Sequence, residues 1–269
     1  MSASNDQALS QRAESAKKLV SSQRELFERE FGRVESEWKK DGSRVTAADH
    51  AISRNILDQI AKTYPEDQGF SEELLVDEPL VADSEFAWVL DPIDGTNNFA
   101  TGLAQCAISL ALLREGEPVY GVVYDHSRRT LLHGGPGFGM WDGARRASIV
   151  TGGLKKNSLV GFHSPHEKGR FLGHADALVS RTKIRGLGSS ALHLAYVAAG
   201  IFDGTVDHNV KLWDIAAGLP MIKAAGGEAQ FIANNPLPLR LFDLEMPRIF
   251  YVAGSSEMCR DLRDLLQAP

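Results

Sequence analysis

Two aspartates three residues apart, Asp91 and Asp94, close an apolar run from Phe86 to Leu90 within the stretch W-V-L-D-P-I-D-G-T-N-N-F-A-T-G, residues 88–102. The run reads as a strand ending in acid. Pro92 has no amide proton and Gly95 tolerates backbone angles that other residues avoid, so the chain is expected to leave the sheet after Leu90 and turn, with both carboxylates at the turn. Carboxylates a few ångströms apart repel unless something positive lies between them, and hard oxygen donors of this kind suit Mg2+ or Mn2+. An Asp-Pro and Asp-Gly surface turn accounts for the same residues, since these are ordinary turn formers.

Other residues could join them. Glu72 and Glu73 precede the acidic strand by one connection, close enough for Glu72 to reach back over Asp91, although paired glutamates also serve simply as a solvated surface. Thr46 and Asp49 make a capping box ahead of the helical pattern Ile52, Ile56, Ile60. Asp214 opens a second helical pattern, Ile215 to Ala225, as an N-cap or as a functional group; the small residues Ala216, Ala217 and Gly218 would let that helix start approach a ligand closely. Ser189 and Ser190 stand at the head of a small-residue helix from Ala191 to Ala198, where backbone amides are open to a ligand. His163, His166 and His174 match no zinc spacing and read as solvated or core-edge residues. The run Gly134 to Gly139 lacks a following Lys-Ser or Lys-Thr and a helical pattern, so no nucleotide loop is expected there.

The hexapeptide D-P-I-D-G-T, Asp91 to Thr96, resembles the signature of the inositol monophosphatase family of Mg2+-dependent, Li+-sensitive phosphatases. Ser71-Glu72-Glu73 falls where that family carries its Glu-Glu pair, and Trp213 to Gly218 resembles its second signature, W-D-x-A-A-G. Val45 to Asp49 resembles the segment whose Asp is hydrogen-bonded to the Thr of D-G-T. The motifs occur in the family's order. The resemblance implies that Glu72, Asp91, the Ile93 carbonyl, Asp94 and Asp214 surround two or three Mg2+ ions, with Mn2+ as the alternative. It further implies direct in-line attack of metal-activated water on a phosphomonoester, with Glu72 and the Thr96–Asp49 pair beside that water and no protein nucleophile. The phosphate is expected against the amides of Gly95 and Thr96, with Asp94 and Asp214 also expected among the substrate-binding residues. Asp207 lies seven residues before Asp214, where inositol-specific members carry a Glu that contacts substrate hydroxyls. The side chain here is shorter by about one C–C bond, so the same contact needs a backbone shift or a bridging water; closing a strand-to-loop turn is the other role open to it.

The resemblance leaves several substrates in view. An inositol-1-phosphate-like metabolite comes first; histidinol phosphate, fructose 1,6-bisphosphate and a 3'-phosphonucleotide are alternatives within the superfamily. Lys40 to Ser43 resembles the histidinol-phosphate branch, whereas Ile93 and Asn97 depart from the D-P-L-D-G-T-K of the nucleotide branch. A non-catalytic phosphate-binding protein would show a missing ligand, and every carboxylate the resemblance demands is present.

The elements that position these groups follow from periodicity. Leu9, Ala13, Ala16, Val20, Phe27 and Phe31 mark one long helix closed by Gly32. Cys106 to Leu113, Val119 to Tyr124, Leu131-Leu132 and Gly139 to Trp141 form an antiparallel meander, with Asp142-Gly143 as a tight hairpin turn. Strands are expected near Leu159, at Ile201 to Val206, at Glu228 to Ile232 and at Ile249 to Ala253, before a helix from Glu257 to Gln267. This is an α/β chain of 269 residues forming one catalytic domain, with a metal-site half (1–148) and a second α/β half (149–269) that contributes Asp214 and the substrate side. The resemblance implies a layered α-β-α-β-α sandwich and a homodimer. A net charge of −6 argues against nucleic acid as a partner. The start of the chain lacks signal-peptide blocks, no apolar run is long enough to span a membrane, and the expected location is the cytoplasm. Cys106 and Cys259 read as buried thiols.

Overall fold

The computed structural model describes residues 3–39, 42–74, 76, 78–162 and 172–267. The strand that carries Asp91 and Asp94, Phe86–Asp94, is buried at every position. Alternation assigns its two faces: Ala87 and Val89 enter one hydrophobic core, Phe86, Trp88 and Leu90 another. A strand buried on both faces needs a layer on each side, which is why its apolar run shows no polar alternation.

Around it lies a seven-stranded sheet in the order Arg145–Ala147, Gly139–Asp142, Thr130–Gly135, Glu117–Asp125, Ala107–Arg114, Phe86–Asp94, Gln68–Ser71. The meander is antiparallel and only Gln68–Ser71 joins in parallel. The hairpin at Asp142-Gly143 is present, with Asp142 paired to Arg145. A second sheet of five strands runs Lys183–Arg185, Leu159–Phe162, Gly204–Val210, Ile249–Gly254, Glu228–Ala233. Helices Ala3–Ser22 and Ala47–Thr63 cover the outer face of the first sheet; Ser190–Ala198 and Gly218–Ala224 fill the space between the sheets; Leu172–Arg181 and Ser256–Gln267 back the second. The layers are α-β-α-β-α, as expected. The middle layer is tight: a Cβ on Gly121 would lie 1.9 Å from the Ala217 carbonyl oxygen, so strand and helix backbones are in direct contact. Among the described residues no helix is long and apolar enough to cross a membrane.

Four expectations are corrected. The chain does not leave the sheet after Leu90: Asp91 pairs with Ser109 and Asp94 with Ala107, with a register shift between them. Pro92 cannot donate to a ladder, so the strand bulges there and resumes, and the turn waits for Gly95 at φ +85°. The N-terminal helix is two, Ala3–Ser22 and Arg24–Glu30, broken at Gln23, whose buried side chain accepts from Asn55 Nδ2 at 3.0 Å. The helix expected from Ile215 to Ala225 is split into Leu212–Ile215 and Gly218–Ala224, because the Pro220 ring would collide with the Ala216 carbonyl of a continuous helix. The strand read at Ile201 to Val206 runs instead over Gly204–Val210, since the amides of Ile201 and Phe202 close the preceding helix on the Tyr196 carbonyl at 2.8 and 3.1 Å.

Candidate active site

The bulge and the split helix bring three carboxylates together. Ligand oxygens of Asp91, Asp94 and Asp214 all lie within 4.8 Å of one another. Each is anchored: Asp91 Oδ1 accepts from the Ile93 amide at 3.1 Å, and Asp214 Oδ2 accepts from the Lys211 amide at 2.7 Å. Asp94 Oδ2 accepts from the Ala191 amide at 2.8 Å and, in a short bond, from the Ser189 hydroxyl. An ionised carboxylate has about four acceptor sites, so lone pairs remain on all three for a further partner.

Electrostatics asks for that partner. Burial, then Glu72, Asp94 and Asp214, raises the Asp91 carboxyl well above the usual range. Burial, then Asp94 and Glu72, does the same to Asp214. Asp94 is pushed up to about 6 by burial, although the bonds from Ser189 and Ala191 work against the rise. Buried like charges with oxygen donors only, beside the Ile93 carbonyl on the same wall, form a donor set that fits a hard divalent cation such as Mg2+.

Next to the cluster stands Asp49, at the third position of helix Ala47–Thr63. It completes the capping box, its Oδ2 accepting from the Thr46 amide at 2.8 Å and the Thr46 hydroxyl at 2.6 Å. The Thr96 hydroxyl is shared between the Ile93 carbonyl at 2.9 Å and Asp49 Oδ1 at 3.4 Å. Cap and Thr96 contact therefore coexist in one side chain. Burial outweighs the bonds from Thr46 and pushes Asp49 up to about 7. Glu72 lines the cleft but its carboxylate meets Lys39, whose Nζ lies 2.9 Å from Glu72 and 2.5 Å from Glu73. Burial opposes the charge on Lys39, yet the two glutamates prevail and hold its ammonium above the ordinary range.

The cleft has a volume of about 360 Å³, and Gly95, Thr96 and Ser190 are among the residues that line it. Trp38, Arg44, Asn209 and Arg248 line it too, and the sequence reading missed them. The Arg44 guanidinium lies 4.4 Å over the Trp38 ring, on the paired strands Ser36–Trp38 and Arg44–Thr46. A signal existed for these two: turn residues at 40–43 between two short runs mark a hairpin, whose ends would flank the Thr46 cap. Lys40 and Asp41 themselves lie outside the described residues. Arg248 and Asn209 carried no local signal.

Two expected substrate contacts are corrected. Asp207 has no exposed surface. On strand Gly204–Val210 it shares a face with Thr205, pointing into the middle layer, while Val206 points to the far core. Its carboxylate accepts from Tyr251 Oη at 2.8 Å and meets His193 Nδ1 at 3.2 Å. Ser189 is likewise fully buried, committed to Asp94 and to capping the Leu192 amide. Of the histidines, His174 contacts His208 at 3.0 Å, and His163 and His166 lie outside the described residues.

Residues 4–262 match the model of the inositol monophosphatase family. The chain is 32% identical over 249 residues to the inositol-1-monophosphatase of Rhizobium meliloti (strain 1021), covering 90% of each protein. It is 35% identical over 201 residues to a fructose-1,6-bisphosphatase/inositol-1-monophosphatase of Thermotoga maritima, over 73% of this chain and 75% of that one. The crystal structure of extragenic suppressor protein suhB from Bartonella henselae superposes with a TM-score of 0.82 at 27% identity, covering 94% of this chain and 96% of that one. With the match running through D-P-I-D-G-T, the glutamate pair and W-D-I-A-A-G, which the fold gathers on one cleft, the chain belongs to the inositol monophosphatase family and is a phosphatase.

Proposed function

We propose that the protein is a Mg2+-dependent phosphomonoesterase for a small phosphorylated metabolite of the inositol-1-phosphate type. The observation that carries this reading is the convergence of Asp91, Asp94 and Asp214 at the floor of a cleft, with oxygens within 4.8 Å. These three, with the Ile93 carbonyl and Glu72, would hold two or three Mg2+ ions, or Mn2+ in their place. The bound cations would neutralise phosphate charge and acidify water, the chemistry that slow monoester hydrolysis requires.

The chain's own residues divide the remaining work. Gly95 and Thr96 offer first-turn amides, which have no acceptor within their helix, to the phosphate. Thr96 and Asp49 would form a path for a proton, the Thr96 hydroxyl lying 3.4 Å from Asp49 Oδ1. Lys39 holds Glu72 in place at the cleft wall. The reading includes Li+ sensitivity and a homodimer, both of which rest on the family resemblance, and a cytoplasmic location.

A second substrate reading has its own support. Arg44, Lys211 and Arg248 line the cleft beside the carboxylates, which favours a second anionic group on the substrate, and the Thermotoga maritima relative bears a bisphosphatase name. Phosphate release from inositol 1-phosphate, fructose 1,6-bisphosphate, histidinol phosphate and a 3'-phosphonucleotide, each with Mg2+ and with excess EDTA, tests both. Turnover of inositol 1-phosphate that EDTA abolishes is the expected result. Full activity in EDTA, or no release from any of the four by folded protein, overturns the proposal.

A further inference from the structure

We infer that His193, its tautomer set by Asp207, is a positioning residue for the reaction: buried behind the cleft, it pins the loop Leu187 to Ser189 that orients the Asp94 carboxylate. The inference rests on the reading of Asp94 as part of a cation-binding cluster.

His193, Asp207 and Tyr251 have no exposed surface. An acid in the core is strongly unfavourable unless its charge is well satisfied. Donors from two other elements converge on this one. Tyr251 Oη donates to Oδ2 at 2.8 Å from strand Ile249–Gly254, and His193 Nδ1, on helix Ser190–Ala198, lies 3.2 and 3.3 Å from the two oxygens; the Thr205 hydroxyl, 3.5 Å from Oδ2, lies nearer the Gly161 carbonyl at 3.1 Å. The other ring nitrogen fixes the tautomer. The Leu187 amide donates to His193 Nε2 at 3.1 Å, so Nε2 presents its lone pair and Nδ1 carries the proton that Asp207 accepts.

Leu187 is thereby held at both ends of its peptide units. Its amide is tied to His193, and its carbonyl accepts from Asn98 Nδ2 at 2.7 Å; that same nitrogen donates to the Gln105 carbonyl at 2.6 Å. Two residues on, Ser189 gives its hydroxyl to Asp94 Oδ2, the oxygen that the Ala191 amide also contacts. The path from Asp207 to Asp94 therefore runs through one imidazole and one short loop, with a defined donor at each step. Neither His193 nor Asp207 lines the cleft, so they bear on the reaction through the loop that orients Asp94.

Two substitutions separate this role from a merely structural one. In His193→Gln the terminal amide oxygen takes the place of Nε2, keeping the acceptor for Leu187 while losing the donor to Asp207. In His193→Asn the side-chain amide takes the place of Nδ1, keeping the donor to Asp207 while leaving the Leu187 amide without its acceptor. Mg2+ binding to each folded protein is measured by titration calorimetry, alongside metal-free melting temperature. The expected result is that His193→Asn weakens Mg2+ binding about 10–100-fold, the range for loss of a group that orients a metal ligand, while His193→Gln stays within about threefold of the parent. Equal Mg2+ affinity in all three proteins, or losses that simply follow the drop in melting temperature, overturns the inference. A parent protein that binds no Mg2+ overturns the reading of the cluster itself and this inference with it. If neither variant folds, hydrogen exchange of the parent decides: Mg2+ should raise protection of the Leu187 amide, and unchanged protection there overturns the inference.

Discussion

Replacing Asp94 by Asn should stabilise the metal-free protein while destroying its activity. In the folded chain the Asp94 carboxyl is raised from 3.8 to about 6. A carboxyl raised on folding favours the native state only while it is protonated, so its contribution is present below about pH 4 and is lost as pH rises through about 6. A rise of about two pH units corresponds to on the order of 3 kcal/mol of native-state stability withheld above that window. Asn keeps the shape and an oxygen for Ser189 and Ala191 but cannot ionise. Urea melts in excess EDTA should therefore show the variant more stable than the parent at pH 8, by on the order of 3 kcal/mol, and by less than about 1 kcal/mol at pH 4. In a chain of this length that corresponds to roughly 6–12 °C in melting temperature at the higher pH. With Mg2+ present, turnover by the variant should be lost. A variant no more stable than the parent at pH 8, or stabilised equally at both pH values, would refute the account of an electrostatically strained cluster.

Other perturbations follow from the scaffold. Gly121→Ala would drive a methyl group to 1.9 Å from the Ala217 carbonyl, backbone against backbone, so a loss above about 4 kcal/mol or failure to fold is expected, read by circular dichroism and urea melts. Thr46→Ala removes both the helix cap and the hydroxyl bonded to Asp49 and should lower stability by about 1–2 kcal/mol in the same assay, with Thr46→Ser recovering most of it.

Legibility in the sequence followed the range of the interaction. Asp91, Asp94 and Asp214 were readable because each sits inside a short motif, and the cap at Thr46 and Asp49 because both partners lie within one turn. The layers were readable from the resemblance, and the meander from alternation and turn residues. What escaped depended on registers between distant segments. Ser189 belongs to Asp94, 95 residues away, and nothing near either position says so. Asp207 points into the core because the strand runs on to Val210 instead of ending at Val206, so Asp207 lies within the sheet, on the face it shares with Thr205. Lys39 carries no local mark of its role; its partners Glu72 and Glu73 lie more than thirty residues away.

The position of the cluster explains why folding and chemistry should be coupled here. Asp91 and Asp94 end a strand of the first sheet, while Asp214 and the donors to Asp94 come from the middle helices, whose chain segment also builds the second sheet. The carboxylates thus meet where the two sheets are joined. Two unit charges 4.8 Å apart repel by about 3–4 kcal/mol at an effective dielectric of 20, a large share of the roughly 5–15 kcal/mol by which a typical domain is stable. Burial is the larger cause of the raised carboxyls and the repulsion adds to it; proton uptake relieves both when no cation is present. The proposed cations would relieve it without protonation, and would then bind the folded seam and not the unfolded chain. At a free Mg2+ concentration of a hundred times its dissociation constant, a single such site adds about 2.7 kcal/mol to stability. Metal loading would consequently tighten the same junction that aligns Asp94 through Ser189 and Asp214 through the Lys211 amide, so the geometry needed for turnover would be most firmly held when the cofactor is present.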